Sequence, residues 1–521
     1  MSTRVEIDKR LIAVNSASAL VARLISVFVL VWLQQYLLRR ISPEEYSLLP
    51  VMYAVMAFVP LVTTVMTGGI GRYVVEAYAN GDSERVSAIV TTMVPLLSGL
   101  AFSLGFFAAL LIWKVDWLLT IAPEHVDEAQ LMLGILFFSL LVRLVLGPFS
   151  LGLYVKQRFV LINVITLVGE VVRLGLLCVL LFGLGTRVLW VVVASTAADL
   201  TSLGATIFFS RLAVPELRLR RGGFTSSIAR ELVSFGGWTS LGQVARVIRQ
   251  RADIIVLNKL ATAVDVNCMY LGSLAYNQIR TMMGRVTAPL DPPLVAMHAA
   301  NDTSRLRGAY LKGGKYVMWA SLFVATPLIV FRDEVFQLYL AEAYEMHVAV
   351  GAVTAIMLLG LSLASANDMV WKIARAVGDV GPLMRRLCMV QLANLGLTIY
   401  LVGVHQMGAI GAALSSLIMV IVSVPLLYLP EACRLTGLTK RNWFRRTILP
   451  GYQPAVATAL ALLLLQRMFH PQSWTALALC SAVGALVYLL YLLSFCLEKS
   501  EQRDAKRLLA RVMARVGLIK S

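Results

Sequence analysis

The chain has 521 residues, of which 59% are hydrophobic and only 15% charged, and its mean hydropathy is +0.77. Soluble domains are about half apolar and a quarter charged, so this composition excludes a soluble domain. Six scattered cysteines and five distant histidines have no metal-ligand or disulfide spacing, and no catalytic motif occurs. We therefore predict no enzyme, no metal site and no organic cofactor.

Continuous apolar runs recur along the chain and predict an all-α polytopic membrane protein. Each run is near the ~20 residues that cross a ~30 Å hydrocarbon layer, and none alternates as outer-membrane strands do. We predict about fourteen membrane helices, over residues 11–38, 46–71, 87–113, 128–154, 159–182, 188–210, 231–258, 268–298, 309–331, 347–370, 383–403, 408–430, 449–466 and 473–497.

The net charge of +18 is distributed by topology rather than in a nucleic-acid-binding patch. Of the 47 Lys and Arg residues, 32 lie in or beside alternate segments that begin with the N-terminal tail, and only 7 lie in the other segments. Cytoplasmic segments carry the basic excess in membrane proteins. The pattern predicts a bacterial inner-membrane protein with both termini in the cytoplasm and no nucleic-acid partner.

Two landmarks occur twice and suggest an internal repeat of six helices. The tripeptide "VAR" ends at Arg23 and again at Arg246. The segment "EAYANGDSERV" (Glu76 to Val86) is matched by "AMHAANDTSRL" (Ala296 to Leu306), at nearly the same distance from its tripeptide. An even number of helices per repeat predicts parallel halves, so both arginines are expected to face the seam between them.

The repeat predicts five parts of the chain. An N-lobe of six helices (1–212) and a C-lobe of six helices (231–432) are joined by a basic, Pro- and Gly-containing linker (213–230). Two further helices follow (433–497). The last part (498–521) has apolar residues on one helical face and arginines on most of the rest, which predicts a helix on anionic inner-leaflet lipid; a solvated tail helix is the alternative.

Charges within the predicted spans are the candidate functional groups. A charge near the membrane midplane costs about 2.5–3.5 kcal/mol, so these side chains should face water or each other. Several arginines lack an acid three or four residues away, and guanidinium groups bind phosphate oxygens with two donors. We therefore expect a cavity that binds a large anion, such as a lipid phosphate or pyrophosphate, through Arg23, Arg246, Arg249, Arg280 and Arg285.

The acids in the spans have two interpretations, ion coupling or structural pairing. Glu170 with Arg173, and Arg249 with Asp253, have the spacing of local ion pairs on a helix. Asp291 precedes two prolines and could cap or bend its helix. Asp199 and Asp368 are candidates for coupling to H⁺ or Na⁺. Arg143, a basic residue in a span, is interpreted separately: its long side chain could extend toward the inner membrane surface.

Two segments resemble polysaccharide flippases of the multidrug/oligosaccharidyl-lipid/polysaccharide exporter superfamily. "NSASALVARLISVFVLVWLQQYLLRRISPEEYSLLPVMYA" (Asn15 to Ala54) is similar to their first helix pair, and "GGIGRYVVEAYANGD" (Gly68 to Asp82) to the segment that follows. The resemblance covers roughly residues 10–432. It implies two six-helix lobes in a V shape that alternate between inward-open and outward-open states.

The implied cargo is an undecaprenyl-pyrophosphate-linked oligosaccharide carried from the cytoplasmic to the periplasmic leaflet. The expected partners are this lipid-linked oligosaccharide and membrane lipids, and the interpretation also allows a polysaccharide polymerase and other pathway proteins. Arg23 matches in position an arginine in the first helix of the superfamily's lipid II flippase, so lipid II is the alternative cargo. A cation-coupled multidrug exporter is the second alternative, and a receptor without transport is the third.

Overall fold

A computed structural model describes residues 33–67, 70–156, 158–220, 224–232, 252–287, 290, 293–294, 297–298, 300–340, 346–379, 381–497 and 501–502. These residues form helices and turns without any β-strand, which confirms the predicted all-α class. The chain divides into two compact units, residues 1–267 and 268–521, which we call the N-unit and the C-unit.

The longer described helices of the N-unit are α1 to α7. They are α1 (Pro43–Met56), α2 (Val59–Thr67), α3 (Ile70–Ala79), α4 (Ser83–Trp113), α5 (Val126–Leu146), α6 (Phe159–Gly183) and α7 (Leu189–Ala213). Residues 252–260 are also helical. Helix α7 packs against both α5 and α6, so these three helices form one layer of neighbours.

The longer described helices of the C-unit are α8 to α17. They are α8 (Ala263–Thr287, which begins in the N-unit's last residues), α9 (Thr303–Val330), α10 (Arg332–Leu340), α11 (His347–Ser365), α12 (Asp368–Val377), α13 (Gly381–Ile399), α14 (Gly408–Ser423), α15 (Leu429–Thr436), α16 (Leu449–Phe469) and α17 (Trp474–Tyr491). Helix α9 contacts α11 and α16, which places it inside the unit.

Eleven helices among the described residues are long and apolar enough to cross a membrane, so the chain is a multi-pass membrane protein. Each overlaps one of the fourteen predicted spans. Most of the predicted spans 11–38 and 231–258 lies outside the described residues. Helix α8 covers residues 268–287 of the span predicted at 268–298, and it carries Arg280 and further polar residues. The count of fourteen stays a prediction.

Helix α1 begins with a capping arrangement that its sequence specifies. Ser42 stands before Pro43, and its hydroxyl accepts a hydrogen bond of 3.2 Å from the backbone N–H of Glu45. The Glu45 carboxylate then accepts a bond of 2.9 Å from the backbone N–H of Val188, just before α7. The start of α7 is thereby held next to the start of α1.

The two repeated landmarks fold into the same turn. Gly81 and Asn301 both have left-handed backbone, with φ of 72° and 53°. Asp82 and Asp302 follow with φ of −87° in both cases and ψ of 78° and 75°. Each carboxylate accepts a hydrogen bond from the backbone N–H three residues on, at 2.8 and 2.9 Å. The repeated segments therefore start α4 and α9 with the same N-terminal cap.

A long-range contact next to these turns is also repeated. The Ser87 hydroxyl donates to the Glu216 carbonyl oxygen at 2.8 Å, and the Arg307 guanidinium donates to the Thr436 carbonyl oxygen at 3.1 Å. Both contacts join residues 129 apart in the chain. The start of α4 is therefore tied to the segment after α7 in the same way as the start of α9 is tied to the end of α15.

The hairpin at residues 252–267 is fastened to the N-unit on its predicted outer side. The Asn258 side-chain amide exchanges two hydrogen bonds of 3.0 Å with the backbone of Thr120. The Lys259 ammonium donates to the Trp117 carbonyl oxygen at 3.0 Å, and the Asn267 amide donates to the Pro43 carbonyl oxygen at 2.8 Å. All these groups lie in segments predicted to share one side of the membrane.

A buried ion pair fastens the C-terminal end of the described chain to α9. The Lys315 ammonium, on a side chain only 2% exposed, lies 2.9 and 3.0 Å from the two carboxylate oxygens of Glu501. The Tyr316 hydroxyl donates to the same carboxylate at 2.6 Å. The ammonium also lies 4.9 Å from the Trp319 ring centroid, within the range of a cation–π contact.

Candidate functional site

The structure describes only some of the predicted site residues. Arg23, Arg246, Arg249 and Asp291 lie outside the described residues, and the Arg285 side chain does too. Asp253 is buried near the start of the helical segment 252–260. The remaining predicted residues fall into two groups, one in each unit, and those groups can be built up from their contacts.

The first group lies in the N-unit and consists of Tyr53, Arg143, Glu170, Arg173 and Asp199; we call it the mid-membrane cluster. Arg143 on α5 pairs with Asp199 on α7, with 2.8 Å between guanidinium nitrogen and carboxylate oxygen. Glu170 and Arg173 form an ion pair three residues apart on α6. Asp199, which has no local partner in the sequence, thus finds one on a neighbouring helix.

The five members lie deep within the candidate membrane spans. Each is at least ten residues from both ends of the candidate span that carries it, which is about 15 Å along an α-helix. The Tyr53 side chain lies close to Ser195 and within electrostatic reach of Asp199 and Arg173. The cluster therefore joins side chains from four helices near the middle of the membrane.

The charged members point away from lipid. On α7, Asp199 is nine residues from the exposed Phe208, which places the two about 180° apart around the helix. On α5, Arg143 is five residues from the exposed Phe138, about 140° away. On α6, the exposed apolar stripe contains Val164, Val168 and Val171, and Arg173 lies roughly 140–180° from it.

The two ion pairs differ in their access to solvent. The Arg143 and Asp199 side chains are 53% and 60% exposed, whereas those of Arg173 and Glu170 are 23% and 18% exposed. An exposed charged pair on the faces opposite the lipid-facing residues is explained by a water-filled interior space. Glu170 and Arg173 are mostly buried, as expected of a pair that supports Arg143 and Asp199 from within the bundle.

The second group lies on α8, which is exposed on two opposite sides. Asn277 and Thr281, four residues apart, form an exposed polar stripe. The exposed apolar residues Met282 and Val286 form a second exposed face. They lie about 140° and 180° from Asn277 around the helix axis. A membrane helix with one exposed apolar face and one exposed polar face borders lipid on the first and water on the second.

Arg280 lies next to this polar stripe and is joined to other polar groups. Its guanidinium donates to the Tyr276 hydroxyl at 2.7 Å, one turn earlier on α8. Asp368, at the start of α12, and Tyr428 are close enough to interact with it electrostatically. Arg280 therefore lies near an acid on another helix, and no local spacing in the sequence indicates this proximity.

Sequence patterns did not single out several of these groups. Asn277 and Thr281 are uncharged, so a search for intramembrane charge passes over them, although their spacing of four residues marks one helical face. Tyr53 and Ser195 were missed for the same reason. The pairing of Arg143 with Asp199 joins residues on different helices and leaves no local signal.

An apolar cavity of about 360 Å³ lies in the N-unit, and no member of either polar group lines it. It is lined by apolar side chains only, among them Val55, Phe58, Val62, Leu104 and Phe107. Such a lining gives no hydrogen-bonding partners to a polar ligand. The cavity can accommodate a hydrocarbon chain.

Solved structures share this fold at low sequence identity. The lipid II flippase MurJ, in an inward closed conformation, superposes with a TM-score of 0.69 and 14% identity, covering 92% of this chain and 97% of MurJ. An inward-facing multidrug resistance transporter of the MATE family superposes with a TM-score of 0.63 and 16% identity, covering 76% of this chain and 91% of that one.

Sequence comparison points to the same group of proteins. The chain is 19% identical over 317 residues, 60% of its length, to the uncharacterized membrane protein EpsK of Bacillus subtilis (strain 168), and the match spans 62% of EpsK. The family model described as "Polysaccharide biosynthesis protein" matches residues 36–349, which is more than half of the chain. The resemblance to polysaccharide flippases is confirmed at this level: the chain belongs to the polysaccharide biosynthesis protein family.

Proposed function

We propose that the protein is a flippase that moves an undecaprenyl-pyrophosphate-linked oligosaccharide from the cytoplasmic to the periplasmic leaflet of a bacterial inner membrane. Membership of the polysaccharide biosynthesis family supports a role in assembling a polysaccharide. The fold shared with MurJ and a MATE transporter supports movement of a substrate by alternating access.

The observation that carries the proposal is the two-sided exposure of α8. Its polar stripe, with Arg280 beside it, gives hydrogen-bond donors and a positive charge to a wet face inside the membrane. A pyrophosphate binds such groups through charge-assisted hydrogen bonds. Arg280 would act together with Arg23, Arg246, Arg249 and Arg285, which stay predictions.

The cargo also has an apolar part, and the N-unit offers space for hydrocarbon. The cavity lined by Val55, Phe58 and Leu104 can take a segment of an isoprenoid chain. The protein thus offers an apolar lining for the isoprenoid chain of the cargo and hydrogen-bond donors for its phosphates. A polysaccharide polymerase and other pathway proteins are the partners expected to use the flipped product.

Binding by the purified protein in lipid nanodiscs tests the proposal. The ligands are an undecaprenyl-pyrophosphate-linked oligosaccharide, lipid II and a cationic dye. Arg280→Gln should weaken binding of the pyrophosphate lipid about 10- to 100-fold, because a charge-assisted hydrogen bond contributes about 1.5–3 kcal/mol. Arg305→Gln is the matched control, since Arg305 is exposed in the first turn of α9 and belongs to neither polar group.

The three ligands separate the possible cargoes. Preference for the oligosaccharide lipid, lost in Arg280→Gln and kept in Arg305→Gln, supports the proposal. Preference for lipid II makes the protein a lipid II flippase. Binding of the dye alone, unaffected by Arg280→Gln, makes it a multidrug exporter and overturns the proposal. In cells, Arg23→Ala and Arg246→Ala should each abolish surface polysaccharide while the protein still accumulates.

The driving force has two candidate sources. Asp199, Asp253 and Asp368 could couple transport to H⁺ or Na⁺, or the downhill use of the flipped product could drive it. Asp199 is paired with Arg143 and Asp368 lies near Arg280, so a coupled cation would compete with a guanidinium at either position. Uptake measured with and without a sodium or proton gradient distinguishes the sources.

A further inference from the structure

We infer that the mid-membrane cluster of the N-unit binds the sugar hydroxyls of the cargo, through residues other than the arginines proposed to hold the pyrophosphate. The inference rests on the proposed function and assigns a part of the substrate to a part of the protein. Its central element is the exposed pair of Arg143 and Asp199, supported by Tyr53 and by the more buried pair of Glu170 and Arg173.

Exposure and orientation show that the central pair is available to a ligand. Arg143 and Asp199 are more than half exposed, and both lie on helix faces turned away from lipid-facing phenylalanines. A pair that only neutralises itself within the bundle is expected to be enclosed by the helices that it joins, as Glu170 and Arg173 largely are. An open pair instead leaves donor and acceptor positions directed into a wet space.

The balance of charge determines which ligand fits. The cluster holds two guanidiniums and two carboxylates, so its formal charge is zero. A pyrophosphate would be repelled by Asp199 and Glu170 as well as attracted by the arginines, so it would gain little binding energy. A metal cation at Asp199 would lie close to the Arg143 guanidinium, 2.8 Å from the carboxylate, and be repelled.

A neutral, hydroxyl-rich ligand matches the same groups. Each sugar hydroxyl donates one hydrogen bond and accepts others. The Asp199 carboxylate only accepts, the Arg143 guanidinium only donates, and the hydroxyls of Tyr53 and Ser195 do both. Alternating donors and acceptors over a few ångströms complement a saccharide ring, and hydrogen bonds to charged groups are stronger than those between neutral ones.

The test compares two lipids that differ only in the glycan. Undecaprenyl pyrophosphate and the same lipid with a short N-acetylglucosamine oligosaccharide are bound to the full-length protein in nanodiscs. The wild type should prefer the glycan-bearing lipid by roughly tenfold, which corresponds to one charge-assisted hydrogen bond. The double variant Arg143→Gln with Asp199→Asn should lose this preference and keep its affinity for the bare lipid.

A matched control and a milder variant complete the design. Arg332→Gln with Asp333→Asn neutralises a pair at the start of α10, in the C-unit, and should leave the preference unchanged. If the double variant of the cluster does not accumulate, Tyr53→Phe takes its place, because it removes one hydroxyl and no charge. Tyr53→Phe should reduce the preference about threefold.

Failure of this inference is distinguishable from failure of the proposed function. Binding of the bare lipid with no preference for the glycan, or a preference that survives the double variant or, where that variant does not accumulate, Tyr53→Phe, overturns the inference and leaves the flippase proposal intact. Saturable Na⁺ binding that Asp199→Asn abolishes, without any change in glycan preference, assigns the cluster to ion coupling and also overturns it. Absence of binding to both lipids overturns the proposed function itself.

Discussion

Asn258 and Thr120 exchange two hydrogen bonds of 3.0 Å, although 138 residues separate them in the chain. The Asn258 side-chain oxygen accepts from the Thr120 backbone N–H, and its amide nitrogen donates to the Thr120 carbonyl oxygen. The side chain thus acts as a piece of backbone, and it holds the hairpin 252–267 against the segment that follows α4. Asn258 is itself only 8% exposed, so its amide depends on these two bonds.

Asn258→Ala should loosen this hairpin, because it removes both bonds and leaves two backbone groups without their partner, at a cost of about 1–3 kcal/mol. The measurement is labelling of Cys268, which is buried on α8, by a membrane-impermeant maleimide in a variant that keeps this cysteine alone. Labelling should become faster in Asn258→Ala. Equal labelling rates in the two proteins would show that the two bonds do not hold the hairpin.

Arg143 and Asp199 should behave as an energetically coupled pair. Arg143→Gln or Asp199→Asn alone leaves one charge in the membrane interior without its partner, whereas the double variant leaves none. We expect the two single losses in thermal stability to sum to more than the loss in the double variant, by about 1 kcal/mol, a modest value because the pair is more than half exposed. Strict additivity would contradict the pairing.

Gly152 should not tolerate a methyl group. A Cβ atom at this position would lie 2.3 Å from the backbone carbonyl oxygen of Ser210, and backbone cannot move aside as a side chain can. Gly152→Ala should lower the free energy of unfolding by about 1–3 kcal/mol or more. Gly134→Ala is the matched control, because Gly134 lies in the same span with no atom within 4 Å of the new Cβ. Thermal unfolding in detergent compares the two, and equal midpoints would contradict the close approach.

Gly81 tests the repeated turn through backbone conformation alone. Its φ is 72°, and a Cβ atom there would have no neighbour within 4 Å, so any cost of substitution comes from the left-handed backbone. Gly81→Val should destabilise the protein by about 1–2 kcal/mol. Gly81→Asn should cost much less, because Asn301 occupies the equivalent place in the second turn. Similar losses for Val and Asn in thermal unfolding would contradict this account.

Much of the fold could be predicted from local patterns. The apolar runs indicated the membrane helices because hydrocarbon thickness sets their length, and eleven of them are found as helices that can span. The repeated segments predicted equivalent places in two halves, and both fold into the same capped turn. The spacing of Glu170 and Arg173 on one helix indicated their ion pair, since residues three apart share a helical face.

The candidate sites could be predicted only in part, because their decisive contacts join distant segments. Arg143 forms an ion pair with Asp199 on another helix, and Arg280 lies within electrostatic reach of Asp368 on another helix. Nothing in a single sequence fixes how two helices rotate about their axes, so intramembrane charges were identifiable while their partners were not. The spacing of Asn277 and Thr281 marks a polar face on α8 in the sequence. Only the exposure of these residues shows that this face is in contact with water rather than packed against another helix.

The bond between Lys315 and Glu501 limits where the chain can be shortened or fused to another protein. A chain cut before Glu501 would leave the Lys315 ammonium enclosed by protein without its carboxylate, and such an uncompensated buried charge typically costs about 3–5 kcal/mol. Loss of such a protein from the membrane would reflect misfolding and would say nothing about the basic residues that follow. A cut after Gln502 keeps the carboxylate, so it separates the role of the final nineteen residues from the integrity of the helix bundle.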